Sequence, residues 1–406
     1  MRFAMVTTFY PPYSFGGDGT YVRSLSRALA ARGHEVHVVH CADAYRLLNG
    51  GEPSSAPVDD PGVNVHRLSS RFGPLSPIIT QQTGRPGLKQ EALMRILSRD
   101  FDVVHFHNIS LVGGLGALQL SRAPCTLYTL HEHWLVCATH VFWKDRSHAC
   151  DRPQCLTCCL RSGAPPQLWR YTDMRDAALS HVDRLISPSA YTAARHTSSG
   201  VRTPITVIPH FYEMPPASAS ASIPDLPGAF FLYAGRLADS KGVGPLVASF
   251  ASASRHNLVL AGDGPLLGPL RDQYGGLENI RFLGALPQEA LSALYQRARA
   301  IIVPSLAPET FGLTVIEAAA FGTPSLVRKG AGGAVELVEK NGFGFVYQDE
   351  HDLMRKADQL AGDDALAARL GALAKAAHLD RYTIDKHLTA YFACIGDVLS
   401  AKRGAG

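Results

Sequence analysis

No stretch of this 406-residue chain approaches the ~18 uninterrupted apolar residues that a membrane-spanning helix needs. No secretory leader is expected, because Met1-Arg2 runs directly into the strand-like Phe3-Ala4-Met5-Val6 with no longer apolar region or cleavage site between. The expectation is a cytoplasmic protein. Charge of one sign is scarce, with a formal net charge of +4, and no nucleic-acid-binding motif accompanies it, so no nucleic-acid partner is expected. The balance is uneven, because residues 1–200 hold 20 Lys and Arg against 15 Asp and Glu while residues 201–406 hold 19 against 20. A solvated surface accounts for this, and peripheral contact with an anionic acceptor or the inner face of a membrane is compatible with it. Cysteine is sparse outside one segment, and five of the eight fall between Cys137 and Cys159.

What is present suits two domains, since single cores stop growing near 250–300 residues. Hydrophobic residues make up 46% and charged residues 18%, and 37 Gly with 26 Pro imply many loops. Short apolar runs alternate with helical periodicity, which is the βα repeat of an α/β protein with parallel sheets. Residues 2–8 read as a buried strand, followed by a glycine loop at Gly16-Gly17 and a helical pattern (Val22, Leu25, Leu29) ending at Gly33. Further strands are expected at residues 35–41, 63–68, 102–108, 125–130, 184–187 and 206–208, with irregular stretches at 42–61 and 72–87. The Pro-, Ala- and Ser-rich residues 214–228 read as a linker. The expected organisation is therefore a domain at 1–213 with a cysteine-rich insert at 137–159, the linker, a second domain at 229–383, and a last helix at 384–406 packing back on the first.

Several strand ends carry chemistry. The strand at 300–303 stops at Pro304, and Gly312 opens an apolar helix, so Glu309 sits on the loop and Glu317 on the helix behind it. Free N–H groups at a helix N-terminus meet phosphate oxygens, and carboxylates beside them accept hydrogen bonds from sugar hydroxyls. Arg236 and Lys241, among glycines, fit a pyrophosphate, with Arg as a bidentate clamp and Lys as a point charge. Gly262-Asp263-Gly264-Pro265 follows another strand, and Ala331-Gly332-Gly333-Ala334 offers a backbone nest. In the first half, His107 and Asn108 end one strand and His131-Glu132 another, at the carboxyl edge where α/β sheets bind ligands. His131 can exchange a proton near neutral pH, whereas His105 reads equally well as an interior histidine. In a reducing compartment the cysteine cluster points to metal, with Cys137, Cys150, Cys155 and Cys158 as ligands of one tetrahedral zinc and Cys159, His148 or His140 as substitutes.

Taken together, Gly235-Arg236…Lys241-Gly242, Gly262-Asp263-Gly264-Pro265 and Glu309-x7-Glu317 resemble the large retaining glycosyltransferase family 4 over nearly the whole chain. The resemblance implies the GT-B fold, two facing Rossmann-like domains with a cleft between them. It implies transfer of a sugar with retention from a nucleotide-diphosphate sugar, a UDP- or GDP-sugar, to a hydroxyl acceptor such as a glycan, a lipid-linked molecule or a small glycoside. Arg236 and Lys241 would neutralise the diphosphate without a catalytic metal, Glu317 hold the ribose hydroxyls and Glu309 contact the sugar. Gly17, Gly262, Gly264, Phe311, Gly312 and Leu313 would complete the donor site. Gly16, Gly17, His107 and Asn108 would face the acceptor, with His131 catalytic among them. The cysteine segment resembles a loop found in a subset of the family. Where the family often shows Pro-Asn-Gly, this chain has Pro209-His210-Phe211. A nucleotide-sugar epimerase of the same architecture and a non-catalytic nucleotide-sugar-binding scaffold are the alternatives.

Overall fold

The computed structural model describes residues 1–53, 60–215, 226, 228–253 and 255–404. Most of the linker read at 214–228 lies outside the described residues. The chain divides into two units, one holding 1–140, 153–208 and 388–406, the other 141–152 and 209–387.

The first unit is built on seven strands, β1 (Arg2–Val6), β2 (Glu35–Cys41), β3 (Val63–Leu68), β4 (Val103–Phe106), β5 (Cys125–Thr129), β6 (Arg184–Ser187) and β7 (Ile205–Val207). They pair in parallel in the order β3-β2-β1-β4-β5-β6-β7, with Phe3 opposite Val36 on one side and Val103 on the other. A parallel sheet covered on both faces needs continuous apolar strands, and Phe3, Ala4, Met5 and Val6 are fully buried. The helix Gly17–Ala30 buries Tyr21, Val22, Leu25 and Leu29, one stripe at 3.6-residue spacing.

Two segments expected to be irregular contain helices, Ala42–Asn49 and Leu75–Thr83. Distant polar contacts hold them. The buried Asp43 carboxylate accepts from Arg46 Nη1 at 3.0 Å and from the Ser70 N–H at 2.6 Å. The buried Lys89 ammonium donates to the hydroxyls of Ser76 and Thr80 at 2.8 and 3.0 Å. The far part of the helix Ile384–Gly404 belongs to this unit, where Tyr391 Oη meets His105 Nδ1 at 2.9 Å and Lys402 Nζ lies 2.7 Å from the Asp183 carboxylate.

The second unit is built on β8 (Phe230–Ala234), β9 (Asn257–Ala261), β10 (Ile280–Gly284), β11 (Ala300–Val303), β12 (Ser325–Arg328) and β13 (Gly344–Tyr347), parallel in the order β10-β9-β8-β11-β12-β13. A short antiparallel hairpin, Trp143–Lys144 with His148–Ala149, also belongs to it. Each parallel sheet reverses direction of growth beside its first strand, between β1 and β4 and between β8 and β11, the switch point outside which ligands bind in α/β sheets. Among the described residues no helix is long and apolar enough to cross a membrane.

Candidate functional site

In the second unit the loops at the carboxyl ends of β8 and β11 close on each other. After the short turn Asp239–Lys241, Gly242 reverses the chain with φ 66°. A Cβ at Gly242 would overlap the Pro304 carbonyl, so glycine alone permits the approach. The Leu306 and Ala307 N–H groups both donate to the Ser240 carbonyl, at 3.0 and 2.9 Å. This closure delivers Lys241 to Glu309, with Nζ 2.7 Å from Oε1. Ser305 Oγ donates to the same carboxylate oxygen at 2.5 Å. Burial pushes the Glu309 carboxyl up, but Lys241 and Ser305 outweigh it and hold the group below its ordinary range.

The Glu309 backbone is pinned from the other side. Its N–H donates to the Ala331 carbonyl at 3.2 Å, and the Gly333 N–H donates to the Glu309 carbonyl at 2.8 Å. The nest expected at 331–334 therefore spends its Gly333 N–H on the neighbouring loop. Gly312, at φ 101°, caps the helix Leu313–Ala320 and sets Glu317 in its second turn. Tyr295 Oη donates to Glu317 Oε2 at 2.7 Å. Burial raises the Glu317 carboxyl above its ordinary range despite that bond. Arg236 is exposed and, among the described residues, carries no ion pair. The loop after β9 joins the same edge, since the Leu237 N–H donates to the Asp263 carbonyl at 2.9 Å and the Gly262 N–H to the Gly284 carbonyl at 2.7 Å. Phe311 is 2% exposed and packs against His210 and Tyr382. Its side chain belongs to the core, so only its backbone can serve a ligand.

In the first unit the carboxyl ends of β4 and β5 meet the start of the helix Gly17–Ala30. His107 Nδ1 and His131 Nε2 stand 3.0 Å apart, so one ring nitrogen donates and the other accepts. The Tyr21 ring packs edge-on against His131, at 4.9 Å between centroids. Asn108 is 5% exposed; its Nδ2 donates to Asp18 Oδ2 at 3.0 Å, and its Oδ1 accepts from Ser110 Oγ at 2.8 Å. His105, fully buried, bonds Thr129 Oγ1 at 2.7 Å and Tyr391, the interior role left open by the sequence. Gly16 and Gly17 are exposed in front of this group.

Two family models match the chain. That of glycosyltransferase family 4 covers residues 15–214, and that of glycosyl transferases group 1 covers residues 221–377. The chain belongs to glycosyltransferase family 4. Among its relatives, the glycogen synthase of Mycobacterium tuberculosis strain H37Rv is 29% identical over 437 residues, covering 100% of this chain and 96% of the relative. The D-inositol 3-phosphate glycosyltransferase of Pseudarthrobacter chlorophenolicus is 28% identical over 388 residues, covering 88% and 85%. The sucrose-phosphate synthase of Thermosynechococcus elongatus has a similar structure, with a TM-score of 0.74 at 20% identity over 98% of this chain and 99% of that one. HepE of Anabaena, solved in complex with UDP, gives 0.65 at 17% identity over 98% and 100%. These likenesses place the two Rossmann-like units in the GT-B fold, and the family makes the protein a glycosyltransferase.

Within this glycosyltransferase the cysteines of the expected zinc set are divided between the two units. Cys150 lies on the hairpin segment of the second unit, whereas Cys137, Cys155 and Cys158 lie in the first. Among the described residues no three His, Cys, Asp or Glu side chains stand together as ligands of one ion. Burial raises the Cys155 and Cys159 thiols, and the neighbouring thiols add to it. His148 is exposed on the hairpin, and His140 Nδ1 bonds Glu132 Oε2 at 2.7 Å.

Sequence reasoning missed three polar participants, Ser305, Tyr295 and Asp18. Ser305 sits four residues before Glu309, a local signal that could have been used. The other two come from folding: Tyr295 is 22 positions from Glu317, and Asn108 is 90 from Asp18.

Proposed function

We propose that the chain transfers a sugar, with retention at the anomeric carbon, from a UDP-sugar bound on the second unit to a hydroxyl acceptor bound on the first. The observation that carries this reading is the Lys241–Glu309 pair at 2.7 Å, set at the carboxyl edge of a sheet whose first strand is followed by an exposed Arg236. The UDP and UDP-glucose complexes of HepE support the choice of nucleotide. Arg236 and Lys241 stabilise the charge that develops on the departing diphosphate, an electrostatic effect that is strongest in a water-excluded site. Glu317, in the helix, accepts from the ribose hydroxyls. Glu309, once its lysine turns to phosphate, accepts from the sugar. On the acceptor side His131 hydrogen-bonds the incoming hydroxyl, held in orientation by His107.

A structural zinc in the cysteine segment is proposed alongside, and no step of the transfer runs through it. What supports it is a half-buried guanidinium, Arg170, whose Nη2 has no hydrogen-bond partner among the described residues and which lies in the field of Cys137, Cys155 and Cys159 as well as of the Glu132 carboxylate. A buried cation calls for an anion, and metal-bound thiolates supply one.

The test is thermal denaturation of the full chain with UDP, GDP and ADP, since a ligand that binds only the native state raises its stability. A shift with UDP, weakened in Glu317→Ala, is expected. Turnover of UDP-glucose with NMR assignment of the product anomer checks retention. No shift with any nucleotide, or an inverted product, overturns the reading.

A further inference from the structure

Phe15, the residue before Gly16 and Gly17, is 51% exposed, yet its ring is fixed. One face stacks on Tyr45, at 4.6 Å between centroids and 16° between planes, and Phe9 packs edge-on against it at 5.3 Å. Tyr45 is held in turn. It packs edge-on against Tyr13 at 5.6 Å, and Tyr13 leans on the buried His40, again at 5.6 Å. Polar bonds anchor the inner end of this column: Tyr13 Oη donates to Glu52 Oε2 at 2.9 Å and accepts from Arg67 Nη1 at 3.0 Å, while Arg46 Nε holds Glu52 Oε1 at 2.7 Å. The column stands at the carboxyl edge of the first unit's sheet, since Phe9 lies just beyond β1 and Tyr45 in the helix Ala42–Asn49 directly after β2. A single exposed apolar side chain is ordinary, but the buried rings of Tyr45, Tyr13 and His40 hold this one flat in the loop that carries Gly16 and Gly17. Folding gains little from the outer face, which buries nothing. What that face offers is a rigid apolar plane on the same edge as His107, Asn108 and His131. A pyranose or cyclitol ring matches such a plane: its hydroxyls project around the rim, and carbon-bound hydrogens gathered on a face meet the negative face of an aromatic ring. An open-chain polyol has no flat face to lay there.

We propose that Phe15 is a specificity residue of the acceptor side: its free face stacks on a polyol ring of the acceptor, so the part seated on this unit is a glycoside or cyclitol and not an open-chain polyol. The inference rests on the reading of the first unit as the acceptor side. It is independent of which nucleotide the second unit takes.

Saturation-transfer NMR on the full chain tests it without any donor, using maltose, methyl α-D-glucopyranoside and myo-inositol beside the open-chain sorbitol and glycerol. Wild type is expected to transfer saturation to a ring compound, most strongly to the carbon-bound protons of a single face, and not to the open chains. Phe15→Tyr should keep that pattern. Phe15→Leu, apolar but without an aromatic face, should weaken ring binding about tenfold. Wild type that takes sorbitol as well as the rings, or takes no ring, overturns the proposal. So does a Phe15→Leu chain that binds the rings as wild type does, or that loses them only together with UDP, measured on the same samples by calorimetry. His131→Gln separates this inference from the reading beneath it. Rings lost in His131→Gln but kept in Phe15→Leu would overturn the role of Phe15 and leave the acceptor side standing, whereas rings kept in both would take the acceptor side down as well.

Discussion

The ammonium of Lys241 stands 2.7 Å from Glu309 Oε1, so a cation expected at the diphosphate is paired with an internal carboxylate. On the proposed reading a donor draws the lysine away and leaves Glu309 facing the sugar, which would link diphosphate recognition to sugar recognition. Lys241→Ala is therefore expected to lower kcat about 100-fold, the usual scale for losing one preorganised charge at a leaving group, with Lys241→Arg recovering part of it. Steady-state kinetics with UDP-glucose decides this, and a Lys241→Ala enzyme of full activity would remove the assignment. The pair also predicts a pH signature. The folded Glu309 carboxyl lies below its ordinary value, so its stabilisation is present above that ordinary value and is lost as pH falls through the folded one. Glu309→Gln should melt below wild type at pH 7 and converge with it in strong acid.

Glu317 has the opposite sign. Burial raises its carboxyl, so the unfolded chain gives up this proton more readily than the native one. The group is neutral to stability below its ordinary value, costs stability as pH rises from there to the folded value, and carries the full penalty above. Glu317→Gln keeps an acceptor for Tyr295 while removing the charge. It should melt higher than wild type at pH 7.5, by about 2–4 °C, with the gap closing toward pH 4. UDP should bind it about tenfold more weakly, because the ribose hydroxyls lose a charged acceptor. Higher stability with weaker binding is a combination that damage to the fold cannot produce.

The strands were legible because parallel sheets bury both faces, which makes runs such as Phe3-Ala4-Met5-Val6 continuously apolar and easy to delimit. The candidate site was read from the sequence in separate pieces. Arg236, Lys241, Glu309 and Glu317 could each be named from spacing among glycines, but the ion pair between residues 68 positions apart could not. The helix Ala42–Asn49 escaped notice because its support, the bond from Ser70 to Asp43, comes from 27 positions away. Asp18 escaped for the same reason, since next to two glycines it reads as an ordinary turn residue until Asn108 is folded against it.

Gly242 tests whether the closed loop matters. Its φ of 66° and the Pro304 carbonyl at the place of a Cβ both oppose any side chain. Gly242→Ala should cost about 1–3 kcal/mol of stability and, by displacing Lys241, lower kcat as well. Gly244→Ala is the control. That residue lies in the helix Val243–Ala253 with open space around its Cβ position, and alanine there should be neutral or stabilising by up to about 1 kcal/mol. Equal melting temperatures for the two variants would show that the loop relaxes and that the glycine is not required.

The thiol cluster makes the last prediction. Arg170 lies over the Trp169 and Trp134 rings, with its guanidinium carbon 4.4 and 5.4 Å from their centroids, and burial pushes it down to about 10, opposed by the neighbouring thiols. Without metal, Cys155 and Cys159 are protonated at neutral pH, since burial raises both, and they add no anion to the Glu132 carboxylate whose charge reaches Arg170. Zinc would deprotonate its thiol ligands and supply that anion. Elemental analysis of the purified chain is therefore expected to find about one zinc per molecule, kept in Cys150→Ser and lost in Cys155→Ser, with a lower melting temperature in the second variant. Zinc-free wild type whose melting is unchanged by Cys155→Ser would sink the proposal. Loss of zinc in Cys150→Ser as well would make Cys150 a ligand, in the set that the sequence spells.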